Sequence, residues 1–135
     1  MKFNKEILDR LSAQAMVSPR LRMNLDLRNS PDDFSQRMLN ALEPGTVLPV
    51  HRHMRSSEVL VVLRGSIRQN YYDAAGNLVE SFIASAGGCI DGSVAGFAVP
   101  VGQWHNTECL ESGTVFLECK DGPYEPIGPD DILKI

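Results

Sequence analysis

No run in this chain approaches the ~20 consecutive apolar residues that a bilayer-spanning helix requires, and no membrane partner is expected. The opening residues, MKFNKEILDR, carry Glu6 and Asp9 where a secretory signal needs an uninterrupted apolar stretch, so the expected location is the cytoplasm. Cysteine is scarce. Cys89, Cys109 and Cys119 are odd in number and lack Cys-x-x-Cys spacing, which argues against a disulfide framework or a zinc ribbon and predicts buried free thiols. Positive charge is in the minority, with 13 Lys and Arg against 17 Asp and Glu and a formal net charge of -4. Such a chain gains little from neutralising phosphates, which excludes nucleic acid as a partner. Basic residues do occur in close pairs, Arg20 with Arg22 and Arg52 with Arg55, but acidic residues dilute them; small anionic ligands stay open. Histidine is limited to three residues.

What is present is enough apolar material, 43% of 135 residues, to bury one core without cross-links. Residues 5–16 read as a helix, with Ile7, Leu8, Leu11 and Ala15 on one face, Asn4 as N-cap and Pro19 beyond the end. MNLDLR at 23–28 alternates as a short strand does, and SPDD at 30–33 is a turn. From residue 35 the pattern changes to short Val-, Ile-, Leu- and Phe-rich runs separated by turns. Strands are predicted at 35–43, 46–51, 58–64, 66–73, 78–84, 97–99, 105–111 and 114–120, which is an all-β sandwich or barrel with a short N-terminal helix. DAAGN at 73–77 is a hairpin loop. The Gly-rich run at 86–96 has neither GxGxxG nor a P-loop lysine and is read as turn and bulge. The expected organisation is one domain: a helix and arm over 1–34, the barrel over 35–126, and a Pro/Gly-rich tail over 127–135.

All three histidines stand in a meaningful pattern. His51 and His53 are two apart, so on a strand both rings reach the same point. Glu58 follows at the start of the next apolar run, where a short return brings its carboxylate back beside the rings. His105 opens a later strand after PVGQW. Imidazoles with one carboxylate suit a single divalent transition metal such as Zn, Fe, Ni, Mn or Co, with each imidazole neutral and the carboxylate ionised.

The spacing Gly45, His51, His53, Glu58, Gly65 resembles the first signature of the cupin superfamily, and Pro100-Val101-Gly102-Gln103-Trp104-His105 resembles the heart of the second. The second departs from the pattern at both ends, with Val94 in place of a glycine and Cys109 in place of an asparagine. More narrowly, SPRLRMNLDLR, QRMLNALEPGTVLPVHRH, EVLVVLRGS, PVGQWHN and FLECKDGPYEP resemble the WbuC family of cupin-fold metalloproteins. The resemblance implies a cupin jelly-roll β-barrel, one divalent metal on His51, His53, Glu58 and His105, and a place in bacterial polysaccharide metabolism.

Other side chains are candidates to act beside the ion. Phe116, Glu118 and Lys120 share one face of a strand, and Val115, Leu117 and Cys119 form the opposite, core face. If the first face lines the barrel mouth, Glu118 is the candidate acid/base and Lys120 an anion-binding group. Arg37 and Asn40 fall on opposite faces of one strand, so at most one points inward. Arg22 and Asn24 share a face, and an arginine there grips a carboxylate or phosphate. Trp104 and Tyr124, with Tyr71 and Tyr72, are candidate walls or lids. Arg52 and Arg55 are expected to face water.

The expected function is a metal-dependent enzyme on a small polar metabolite, a sugar or sugar-nucleotide derivative, working as an isomerase or epimerase. An Fe(II)-dependent dioxygenase and a non-catalytic metal-dependent binding module are the alternatives. A homodimer is expected, with the amphipathic helix packing across a partner.

Overall fold

The computed structural model of the chain describes residues 1–135. Helix α1 (Lys5–Val17) starts where Asn4 accepts the Ile7 amide at 3.0 Å, which satisfies one of the unpaired donors of the first turn. Leu8, Leu11 and Ala15 recur at three- and four-residue steps and form its buried stripe. That stripe packs on Leu39, Ala41 and Val115, on the outer face of a sheet.

Eight strands follow: β1 (Arg22–Asp26), β2 (Ser35–Leu42), β3 (Glu58–Arg64), β4 (Ser66–Tyr72), β5 (Leu78–Ser85), β6 (Gly96–Val99), β7 (Trp104–Cys109) and β8 (Thr114–Asp121). They pair antiparallel in two sheets, β1-β2-β8-β3-β6 and β5-β4-β7. Leu42, Leu60, Val62 and Phe116 from the first sheet meet Ile67, Tyr71 and Ala84 from the second in a core between the layers. The architecture is a jelly-roll sandwich, with strand pairing running within each sheet rather than continuously around a closed barrel.

Strand β3 shows how the sequence period positions the site. Glu58, Leu60 and Val62 are buried and point inward, while Val59 and Val61 are exposed. Neighbouring β8 is in register, with Lys120 opposite Glu58, Glu118 opposite Leu60 and Phe116 opposite Val62. Glu118 and Lys120 therefore share the inner face with Glu58.

Two expectations are corrected. Residues 46–51 form an extended loop, not a strand, with Val47 exposed. Pro44 and Pro49 have no N–H to give to a ladder, and Gly45 turns the chain at φ +99°. Cys89 is exposed rather than buried, because it follows a 3-10 turn (Ala86–Gly88) in the Gly-rich connection; Cys109 and Cys119 are half-buried free thiols.

Gly65, between β3 and β4, sits at φ +82°, and a Cβ there falls 2.8 Å from the Thr114 Cα. Gly65→Ala adds left-handed strain to a backbone clash and is expected to cost at least ~2 kcal/mol, read as a lowered midpoint in urea unfolding.

Candidate metal centre

Four side chains arrive from three parts of the fold. Glu58 comes from β3 and His105 from β7, on the two facing sheets, while His51 and His53 come from the loop between β2 and β3. The loop is stitched in place. His51 and His105 exchange backbone hydrogen bonds, N to O at 3.0 Å and 2.9 Å, and Gly102 N donates to His53 O at 2.8 Å. The C-terminal tail closes the other side, with Arg52 N donating to Asp131 O at 3.0 Å and Leu133 N to Val50 O at 2.8 Å. His51 is thus an isolated bridge between β7 and the tail, which restores locally the pairing the prolines deny to the rest of the loop.

One potential ligand atom from each of His51, His53, Glu58 and His105 lies within 4.8 Å of the others. The rings pack at centroid distances of 4.4 Å for His51–His105, 5.0 Å for His51–His53 and 5.6 Å for His53–His105. His51 Nδ1 lies 2.9 Å from Pro49 O, and His105 Nδ1 lies 2.8 Å from Gln103 O. A carbonyl only accepts, so each Nδ1 carries the proton and each Nε2 presents a lone pair inward. Glu58 Oε1 is 2.8 Å from His105 Nε2, and Glu58 Oε2 is 3.8 Å from His53 Nε2. His105 Nε2 and Glu58 Oε2 are buried without a hydrogen-bond donor.

Electrostatics favour the binding-competent protonation states. Burial, followed by the charges of Lys120 and the other imidazoles, lowers His53 to about 4, and Glu58 only partly offsets this. Burial and then His105 lower His51. Burial works to raise Glu58, but its close partners, His105 first and then Glu118, outweigh it and hold the carboxyl below its ordinary range. Burial, then the charge on Glu58, pushes Glu118 well above that range. Of two inward carboxyls on paired strands, Glu58 is the ionised one and Glu118 the protonated one.

A cavity of about 390 Å³ opens over the cluster, lined by His51, Glu58, His105 and Glu118 and also by Asn40 and Arg22. Asn40 Nδ2 donates to Glu118 Oε2 at 3.3 Å. A second, more polar cleft of about 590 Å³ between the 52–56 loop and the tail is lined by Lys120 and by His53, which does not line the first cavity.

Three candidates lie elsewhere. Arg37 is on the outer face of β2, paired with Asp33 at 3.5 Å, as its opposite parity to Asn40 requires. Trp104, one residue before His105, faces away from the cavity and is buried beneath the Arg52 guanidinium, whose carbon is 4.4 Å from the ring centroid. Tyr124 is 59% exposed on the tail. Arg52 does not simply face water, because its Nε also donates to Asp131 Oδ1 at 3.0 Å and so joins the loop of His51 and His53 to the tail. Arg55 is exposed and pairs with Glu125. Sequence reasoning overlooked Arg20, Leu60 and Thr107 as cavity walls. Arg20 was signalled by its two-residue spacing from Arg22, the same pattern that singled out His51 and His53.

The two facing sheets with a His/His/Glu/His cluster between them make this a cupin fold, as solved structures of that fold show. KdgF from Halomonas sp. superposes with a TM-score of 0.59 at 17% identity, over 81% of this chain and 85% of that one. Capsular polysaccharide assembling protein CapF from Staphylococcus aureus gives 0.65 at 21% identity, over 82% of this chain but only 28% of that one. Oxalate oxidase in complex with the substrate analogue glycolate gives 0.62 at 15% identity, over 84% and 57% respectively. The chain therefore matches nearly the whole of one such protein and under a third of another. Residues 3–84, more than half of the chain, match the family described as a domain of unknown function, DUF6016, and the chain belongs to that family. The matched segment contains His51, His53 and Glu58, and His105 lies beyond it. No curated protein matches the chain as a relative.

Proposed function

We propose that the chain binds one divalent transition metal through His51, His53, Glu58 and His105 and acts on a small polar metabolite, with Glu118 as the proton-transferring residue. The observation that carries this reading is the 2.8 Å approach of His105 Nε2 to Glu58 Oε1. With Nδ1–H committed to Gln103 O, two electron-pair donors face each other in a buried site, and a divalent cation satisfies both. The donor set of imidazoles and one carboxylate suits Zn, Fe, Ni, Mn or Co.

Such an ion supplies Lewis-acid polarisation of a substrate carbonyl or hydroxyl. Glu118, kept protonated by burial and by Glu58, donates its proton on the same wall of the cavity and, as the carboxylate it then becomes, takes one back, and Asn40 holds its orientation. Paired acid/base and polarising groups fit an isomerase or epimerase acting on a sugar or sugar-nucleotide derivative. The resemblance to the WbuC family, and the fold shared with a capsular polysaccharide assembling protein, support a role in polysaccharide metabolism.

Metal analysis of protein purified without a metal-affinity tag is expected to find one divalent ion per chain, and nucleotide-sugar screening to find a ligand without oxygen uptake. Iron with substrate-dependent oxygen consumption would replace this reading with a dioxygenase. A closed four-ligand shell without exchangeable water would leave a binding module. Chelator-treated protein is expected to keep its β-sheet circular dichroism, because both apolar clusters exist without the ion.

A further inference from the structure

Of the nine arginines, seven sit against an aspartate or glutamate carboxylate. The two without such a partner, Arg20 and Arg22, both line the cavity over the His/Glu cluster. Arg22 Nη1 donates only to neutral acceptors, Val47 O at 3.0 Å and Thr46 Oγ1 at 3.4 Å. A chain with a net charge of -4 thus places two arginines without an acidic partner along one cavity wall, which they share with Glu58 and Glu118.

The backbone between the two arginines is unusual. Leu21 has φ +55°, and no other non-glycine residue has positive φ. A branched apolar side chain rarely adopts this conformation, so it persists only where its surroundings hold it. Here they do. Leu21 N donates to Ser18 O at 3.0 Å, Glu43 N donates to Leu21 O at 3.0 Å, and Thr46 Oγ1 donates to Arg20 O at 2.7 Å. The corner that carries both arginines is therefore clamped by its backbone to the loop leading to His51, and the Arg22 guanidinium is tied to the same loop.

We infer that Arg20 and Arg22 form an anion subsite of this cavity, which takes a doubly charged oxyanion, a phosphate monoester or a dicarboxylate, at the end of a ligand whose other end reaches the His/Glu cluster. A planar guanidinium fork matches the oxygens of a dianion, and about 390 Å³ is the volume of a small-metabolite site. The far end of the ligand rests on the metal reading; the anion subsite stands on the arginines alone.

Calorimetric titration of the full-length, chelator-treated protein with inorganic phosphate and, separately, with malonate tests this. One anion is expected to bind per chain, and Arg20→Ala and Arg22→Ala each to weaken it at least ~10-fold, while metal loading stays at the wild-type level. Tighter phosphate binding assigns the phosphate monoester, and tighter malonate binding the dicarboxylate. Arg22 also ties the 46–47 loop, so Arg22→Lys provides a variant that keeps the charge and loses the fork. Wild-type protein that binds neither anion, or variants that bind as tightly as wild type, would overturn the subsite. Anion binding without metal binding would instead remove the metal reading and leave the subsite standing.

Discussion

His51→Ala protein, expressed without a metal-affinity tag, is expected to lose at least ~100-fold in affinity for divalent metal, because deletion of a direct ligand costs no less than the larger effects of its supporting partners. The substitution removes the Nε2 lone pair that Pro49 O orients through Nδ1. It leaves the backbone exchange with His105 intact, since that uses only main-chain N and O. Fold and metal content should therefore separate, with metal per chain by elemental analysis falling towards zero and metal-free unfolding close to wild type. Unchanged metal content in His51→Ala would refute the ligand assignment.

Glu118→Gln is expected to do two things. In turnover of a substrate found by screening, it should cost on the order of 10²- to 10⁴-fold, the range for loss of a positioned acid or base, with metal content unchanged. In metal-free protein it should stabilise, and the gain should depend on pH. The Glu118 carboxyl is raised above its ordinary value of 4.5 by burial and by Glu58. As pH rises past 4.5 the unfolded chain releases this proton while the folded chain retains it, so the wild type loses stability up to the folded value. Glutamine carries no such proton and still donates towards Glu58. The difference in thermal midpoint should thus be negligible at about pH 4, open through neutrality and then level off, reaching the order of 2 kcal/mol. A midpoint difference that is independent of pH would show that Glu118 is not held protonated.

Much of the site was legible because it is written in short periods. His51 and His53 come together in a loop rather than on the strand their two-residue step suggests, while the alternation of β3 turns Glu58, Leu60 and Val62 inward and Val59 and Val61 outward. The same parity separates Asn40, against Glu118, from Arg37 on the outer face. The helix was readable from its stripe and its Asn4 cap. The sequence was misleading at residues 46–51, where an apolar run suggests a strand but Pro44 and Pro49 leave only the single bridge at His51. Trp104 shows the limit of adjacency, because next to a ligand in a strand means the opposite face.

Composition and spacing set the repertoire: one small β-rich domain, three histidines and a glutamate at spacings that suit one ion, and a charge balance unsuited to nucleic acid. The tertiary structure decided which charges are left uncompensated. Arg52 is used by Trp104 and Asp131, and Arg64 by Asp9, whereas Arg20 and Arg22 line the cavity without an acidic partner. It also decided which of two inward glutamates ionises. Those outcomes depend on burial and on partners far away in the chain, such as Asp131 for Arg52, and no local pattern encodes either.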